Sequence, residues 1–313
     1  MTSFGFDTTG EQVVQAFPSA VQGKTIIITG ASNNSLGGET ALALATASPA
    51  HLILLARTAP KVTPVIAKIA SINPNIKITF IPVDLASLPS VRTAAATIND
   101  RVDKIDIVIN NAAIMAVQEY TTNDAGIESQ FATNHIGHFL FTKLLLPKLV
   151  KGGRVVNQTS NGYKIGPMRL DDYNFSDGAE YDGWSAYGQS KTANILFTRA
   201  LAKRGVLSFA THPGAIFTTA LGNHLDHETA FDPIADIAMR NSGYKFEMPP
   251  SKTAQQGSAT ALAAALNPEL TDKSGSYMED CQVEPLFEYA SSVENAEKLW
   301  TLSEKLIGEK FTV

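Results

Sequence analysis

Short, unbroken apolar runs alternate with helix-length segments along most of this chain, and that alternation limits the fold more than any other feature. The run Lys24–Thr29 (K-T-I-I-I-T) is β-branched and stops at Gly30. Similar runs lie at His51–Ala56, Lys77–Val83, Ile105–Asn110, Arg154–Thr159 and Val206–His212. Between them the pattern reads as helices at Glu39–Thr46, Thr63–Ile72, Ser87–Asn99, Asn123–Val150 and Trp184–Arg204. Strands that are apolar throughout, rather than on alternate residues, belong to a sheet covered on both faces. Parallel neighbours need a crossover, and each helical segment supplies one. A helix at Ser251–Leu266, a short strand at Ser276–Met278 and an amphipathic helix at Val293–Gly308 follow. The expected fold is α/β: a doubly wound, mainly parallel, seven-stranded sheet with helices on both faces.

The rhythm breaks at Thr219–Pro250, which holds His224, Asp226, His227, Pro233, Met239 and Pro249-Pro250 without a dominant period. No linker or repeat divides the chain. The reading is one domain over residues 1–313, with a mobile substrate-binding insertion, a lid, at about 219–250.

Composition excludes several classes. With 44% hydrophobic and 18% charged residues, the 313-residue chain can bury a sizeable core. A net charge of −5 with no basic stripe argues against a nucleic-acid partner. The richest apolar segment, Phe139–Val150, is broken by Lys143 and Lys148, so no membrane span is expected. The first residues lack the charged start and apolar run of a signal peptide. The single cysteine, Cys281, cannot support an intrachain disulfide, which fits a reducing, cytoplasmic setting. His135 and His138 have no acidic or histidine partners at recognisable spacing, so no metal is expected.

Chemistry enters at the ends of the apolar runs. The first leads into T-G-A-S-N-N-S-L-G-G-E-T, Thr29–Thr40. A glycine turn between a first strand and its helix aims backbone N–H groups at a pyrophosphate, or is simply a tight turn. The second run ends at Arg57, with Lys61 nearby. In a dinucleotide fold a cation there accommodates a 2′-phosphate, where an acid would grip a free hydroxyl; NADP is therefore the expected cofactor. Asp84, followed by Leu85, either bonds an adenine amine or caps the next helix. Asn111, in N-N-A-A with Ala112 and Ala113, either fixes the loop against the cofactor or forms an Asx turn. Asn134 lies inside a helical pattern that it suits poorly; it would open the helix and hold a water. The strongest signal is Y-G-Q-S-K, Tyr187–Lys191. Residues four apart share a helix face, so the cation stands beside the phenol and lowers its pKa into range for proton transfer. Ser160 closes the fifth run, V-V-N-Q-T-S, where its hydroxyl can hold a carbonyl oxygen.

Taken in order, these motifs resemble the short-chain dehydrogenase/reductase family over nearly the whole chain, with H-P-G-A-I-F-T (His212–Thr218) also in place. S-G-S-Y-M-E-D-C and A-E-K-L-W-T-L-S-E-K-L-I-G resemble the branch holding retinol dehydrogenases, WW-domain oxidoreductases and many fungal reductases. The resemblance implies a Rossmann-type fold and reversible hydride transfer between NADP(H) and a small-molecule carbonyl or alcohol. It implies Ser160, Tyr187 and Lys191 as the catalytic triad and Asn134 as a fourth member supporting a relay water. Gly30, Gly37, Leu36, Arg57, Asp84, Asn111, Ile216 and Thr218 match cofactor positions, and Pro213-Gly214 shapes the nicotinamide side. Leu85, Ala112 and Ala113 belong to the same surface. The loop has one residue more than the usual T-G-x-x-x-G-x-G, and Ser35 replaces the middle glycine; the Ser35 hydroxyl or an Asn33 or Asn34 side chain would then assist the pyrophosphate, with Ser32 also among the cofactor contacts. A homodimer is the assembly expected. Tyr163, Met168, Tyr173, Phe217 and Leu221 are candidates for the substrate wall. An epimerase that retains its nicotinamide and a silent NADPH sensor are the competing readings. The first would have a different glycine spacing, and the second does not need the complete tetrad.

Overall fold

The β-branched run after Lys24 becomes the centre of the sheet because its side chains can be buried on both faces. The computed structural model describes residues 4–226 and 228–313, so His227 of the irregular segment lies outside the described residues. The chain opens with α1 (Gly10–Ala16), β1 (Thr25–Thr29), α2 (Leu36–Ala45), β2 (His51–Ala56), α3 (Thr63–Ile72) and β3 (Lys77–Pro82). It continues through α4 (Leu88–Arg101), β4 (Ile105–Asn110), the short α5 (Ser129–Phe131), α6 (Gly137–Leu145) and β5 (Leu149–Gln158). Then follow α7 (Gly183–Lys203), β6 (Leu207–Thr211), α8 (Ile234–Ser242), α9 (Ala254–Leu266), β7 (Tyr277–Glu279), β8 (Gln282–Glu284), α10 (Glu288–Ser291) and α11 (Val293–Ile307).

The sheet order is β3-β2-β1-β4-β5-β6-β7-β8. Every pairing is parallel except β7 with β8. This is a Rossmann-type α/β fold. Winding reverses between β1 and β4, where such sheets open a crevice beyond the strand C-termini. One face buries Val91, Ile98, Phe139, Phe197 and Trp300 from α4, α6, α7 and α11. The other buries Val13, Leu44, Ile69 and Leu262 from α1, α2, α3 and α9.

Local signals set the helix ends. Ser35, Ser87, Asp182 and Ser292 each accept a first-turn N–H of the following helix. Thr253 and Gln256 form a reciprocal capping box at α9. Thr9 and Gln12 do the same for α1, a helix that apolar periodicity alone does not predict. α1 docks on α9 so closely that a Cβ on Gly10 would stand 2.2 Å from Ser258 Oγ.

Two expectations are corrected, and the aperiodic stretch gains a helix. The sheet has eight strands, not seven, because the chain turns at Asp280-Cys281, both at positive φ (51° and 62°), and adds β8 antiparallel to β7. All three β8 residues are exposed, so no apolar pattern announced it. The single helix expected over Asn123–Val150 is broken into pieces. Asn123 Oδ1 accepts from Ala125 N and Ile127 N in a turn, and the buried Glu128 carboxylate caps α5 by accepting from Gln130 N (2.8 Å) and Phe131 N (2.7 Å). A π-helical turn over Ala132–Ile136 then leads into α6, and β5 has begun by Leu149. Finally, the aperiodic stretch 219–250 contains α8, whose apolar residues Ile234 and Ala238 turn inward. No helix among the described residues is long and apolar enough to cross a membrane.

Candidate active site

The C-terminal ends of β1 to β6 all open on one edge, and a cleft of about 790 Å³ runs along it. Gly30, Ser32, Asn33, Ser35 and Leu36 line it after β1, and Arg57 after β2. Asp84 and Leu85 line it after β3, and Asn111, Ala112 and Ala113 after β4. Ser160, Tyr187, Lys191, Pro213, Gly214 and Ile216 complete it. Three expected residues stand off this surface. Gly37 lies behind it, where a Cβ would meet Gly30 O at 2.5 Å and Asn111 Nδ2 at 2.6 Å. Thr218 lines a neighbouring hollow beside Ser32–Ser35 and Gly38. Asn134 sits fully buried beneath.

The glycine turn is closed from within. Gly30 has φ +71, and a Cβ there would lie 2.8 Å from Ala112 Cα. The Ser35 hydroxyl lies 2.7 Å from both Gly30 O and Ser32 O, and it accepts from Gly38 N at 3.1 Å. Ser35 thus ties the loop together from the place of the middle glycine. The N–H groups of Leu36 and Gly37, in the first turn of α2, have no intrahelical partner. Together with the close-approach glycines they form a cradle for an anion. At the other end, Arg57 and Lys61 are exposed at the cleft margin. Asp84 Oδ1 accepts from Ala86 N at 3.0 Å, while Ser87 caps α4, so Asp84 makes a turn and not the cap.

A clasp that the sequence reading missed joins β1 to β4. Thr29 Oγ1 accepts from Asn111 N and Ala112 N, each at 3.0 Å. Its own hydrogen therefore goes to His138 Nε2, 2.8 Å away, which leaves the imidazole proton on Nδ1 to donate to Asn134 O at 3.1 Å. Burial holds His138 down to about 4, so the ring is neutral. Asn111 Nδ2 donates to Thr29 O at 2.9 Å. Asn134 Oδ1 accepts from Ile114 N, and its Nδ2 donates to Ile114 O and Ser190 Oγ, all at 2.9 Å. The helix is opened at Asn134, as expected, and both amide hydrogens are used within the protein. His135 contacts Ser303 Oγ at 2.8 Å. The spacing of His138 four residues after Asn134 was the available clue, since one helical turn stacks them.

Tyr187 and Lys191 share the cleft-facing side of α7, with the Lys191 nitrogen 5.4 Å from the phenol ring centre. Lys191 Nζ donates to Gln158 O at 3.3 Å. The Ser160 hydroxyl accepts from Gly162 N at 3.0 Å. Gly162 leaves room for the catalytic candidate's ring, since a Cβ would lie 2.8 Å from Tyr187 Cε1. The expected depression of the phenol pKa is corrected. Burial pushes Tyr187 up to about 12, with a hydrogen bond from Ser160 pulling it back, and burial pushes Lys191 down to about 7. Desolvation outweighs the mutual effect because both groups are enclosed.

Phe217 and Leu221 line the cleft, but Tyr163, Met168 and Tyr173 pack into the core. The wall residues that sequence missed are Trp184, Ile165, Met115, Phe231, Phe246 and Met248. His212 also borders the cleft. Neither ring nitrogen has a hydrogen-bond partner among the described residues, and burial with Lys252, Lys164 and Lys191 nearby lowers its pKa to about 3.

The short chain dehydrogenase family model matches residues 24–229. The chain belongs to the short-chain dehydrogenase family. Retinol dehydrogenase 13 of Homo sapiens is 35% identical over 302 residues, covering 93% of this chain and 86% of that protein. Short-chain dehydrogenase/reductase prx1 of Penicillium roqueforti is 35% identical over 305 residues, covering 91% and 85%. Among solved structures, an uncharacterized protein from Mycobacterium paratuberculosis superposes with a TM-score of 0.71 and 31% identity, covering 98% of this chain and all of that one (100%). A short chain dehydrogenase from Burkholderia cenocepacia in complex with NADP has a TM-score of 0.61 and 23% identity, covering 83% and 96%. Family membership makes this short-chain dehydrogenase an oxidoreductase whose reaction interconverts an alcohol and a carbonyl.

Lys191 gives this site a cost that pH reveals. Its ordinary value is near 10.5 and its folded value about 7, so between those limits the unfolded chain holds a proton that the folded chain has released. Stability therefore rises with pH across that window, and below pH 7 the full cost of burying the charge is present. Lys191→Met should stabilise the protein by roughly 2–5 kcal/mol at pH 6 and far less at pH 9.5. Urea unfolding at the two pH values measures this; an equal effect at both would show that Lys191 is not held near neutrality.

Proposed function

We propose that this chain is an NADP(H)-dependent ketone or aldehyde reductase, with Ser160, Tyr187 and Lys191 as catalytic residues. The observation that carries the reading is the meeting of these three side chains in one cleft with the Gly30–Gly37 cradle and Arg57. The residues present fit a dinucleotide phosphate. The glycine turn accepts a diphosphate at the head of α2, and Arg57 with Lys61 offers cations to a 2′-phosphate. Asp84, Leu85, Asn111, Ala112 and Ala113 would border the adenosine half, and Pro213, Gly214 and Ile216 the nicotinamide half, with Thr218 behind the loop after β1. The bound dinucleotide supplies or accepts the hydride.

Ser160 Oγ and the Tyr187 hydroxyl together bind the substrate oxygen. A phenol raised to about 12 stays protonated across neutral pH, so Tyr187 stands ready as the acid for reduction. Its proton goes to the carbonyl oxygen as that oxygen gains negative charge. Lys191 holds the ribose side and, with a value near 7, gains or loses a proton readily when Tyr187 is recharged. Asn134 fixes Ile114 and Ser190 around the relay. The retinol dehydrogenase branch is supported by 35% identity to human retinol dehydrogenase 13.

The segment 219–250 is proposed as the substrate lid of this single domain. It leans on the active-site helix through Trp184, whose Nε1 donates to Ala230 O at 2.8 Å, and through an Arg240–Asp182 ion pair at 2.6 Å.

Tyr187→Phe deletes one hydroxyl and should cut kcat by at least about 100-fold with NADPH affinity nearly intact; a variant keeping a tenth of the activity would remove Tyr187 from this role. Arg57→Ala should weaken NADPH binding by about 1.5–3 kcal/mol and barely change NADH binding. Calorimetric titration decides it, and equal losses for both would overturn the NADP assignment. Hydrogen exchange in 219–250 should slow on NADPH binding and again with substrate. Protection equal to that of β4 in the protein alone would make the segment fixed structure.

A further inference from the structure

We infer that Asn161 reads a second oxygen on the substrate, so that the preferred substrate is an uncharged, largely apolar carbonyl compound with an acceptor oxygen close to the reacting carbonyl. The inference rests on the reading of Ser160 and Tyr187 as a carbonyl-reducing pair.

Among the described residues, the substrate end of the cleft carries no formal charge beyond Lys191. Its wall comes from Met115, Ile165, Trp184, Phe231, Phe246 and Met248, while the other formal charges, Arg57, Lys61 and Asp84, lie beyond β2 and β3. A carboxylate or phosphate placed against that wall would lose its hydration with no cation of the wall to replace it. The wall selects neutral substrates by desolvation alone.

Asn161 stands apart from this wall. It follows Ser160 directly, borders the same cleft and is only 8% exposed. Its Oδ1 lies 3.4 Å from the Ser160 hydroxyl, which can turn its hydrogen there until a substrate oxygen takes it. The amide nitrogen is thereby turned the other way. Nδ2 makes no hydrogen bond among the described residues, and the side chain that carries it lines the cleft. A carboxamide has two donors on that nitrogen, and a nearly buried donor left empty is costly. An acceptor on the ligand satisfies it. Since Asn161 adjoins the residue that holds the carbonyl oxygen, that acceptor belongs on an atom one or two bonds from the carbonyl carbon. An α-alkoxy, α-hydroxy or 1,3-dioxygenated ketone meets this demand. In the reaction hydride and proton reduce one carbonyl to an alcohol, and the second oxygen is unchanged.

An isosteric pair tests it: 2-methoxy-1-phenylethanone against 1-phenylbutan-1-one, in which one ether oxygen replaces one methylene. Each is assayed for kcat/KM with NADPH, and for its dissociation constant by ligand-observed NMR. The wild type should favour the methoxy ketone. Asn161→Ala should lower that preference about fivefold or more, the scale of one neutral hydrogen bond. Asn161→Asp keeps an acceptor toward Ser160 but loses the donor, and should lower it at least as much. If both ketones lose activity together and their ratio holds, Asn161 only positions Ser160 and the inference is overturned. Turnover of 4-oxo-4-phenylbutanoate as fast as 1-phenylbutan-1-one would overturn the requirement for a neutral substrate. A folded wild type that binds the pair with the Asn161-dependent ratio but reduces neither would support the recognition and overturn the reductase reading instead.

Discussion

The site depends on a clasp between two adjacent parallel strands. Thr29 at the end of β1 gathers Asn111 N, Ala112 N and His138 Nε2 on a single hydroxyl. Parallel strands that diverge at a switch point leave backbone donors unpaired at their C-termini, and a buried donor without a partner is costly. Here one side chain answers for two of them. The same bonds draw the segment after β4 against Gly30, which is why that turn has no space for a Cβ. Through His138 and Asn134 the clasp reaches Ile114 and Ser190, and so the helix that carries Tyr187.

Enclosure then sets the chemistry. Lys191 and Tyr187 lie one turn apart on α7, and both are nearly sealed from water. A charged lysine there is expensive and so is a phenolate, so desolvation moves the two values toward their neutral forms. The site is built to keep a protonated phenol beside an amine that exchanges its proton near neutrality. Such a pair costs stability, and the cores on the two faces of the sheet offset that cost; in one of them the rings of Phe139, Phe197, Trp300 and Phe311 meet at 4.6–6.2 Å.

Ser35 shows how a departure from a family pattern can leave the geometry intact. Where the family has a glycine in the middle of the loop, this chain has a hydroxyl that bonds to the carbonyls of Gly30 and Ser32 and caps α2. The loop is held by a side chain instead of being freed by the lack of one. The glycines that must remain include Gly30 and Gly37, whose missing Cβ atoms would face backbone and Asn111 within 3 Å, and Gly38, whose Cβ would stand 2.4 Å from Ser32 O.

The sequence alone determined the order of strands and crossovers, because strands buried on both faces must be apolar at every position and the chain writes that openly from Thr25 to Thr29. It also determined the one-turn spacing of Tyr187 and Lys191, since a helix fixes neighbours four apart. It did not reveal β8, whose three residues are exposed and so carry no apolar signature, nor the break before α6, which Glu128 and Asn123 make by bonding to nearby backbone. It grouped Tyr163, Met168 and Tyr173 with the substrate wall, whereas packing put them in the core. Tertiary structure alone decided the direction of the pKa shifts and the facing of Asn161, because desolvation and orientation arise from distant elements closing over a residue, and no local pattern records that closure.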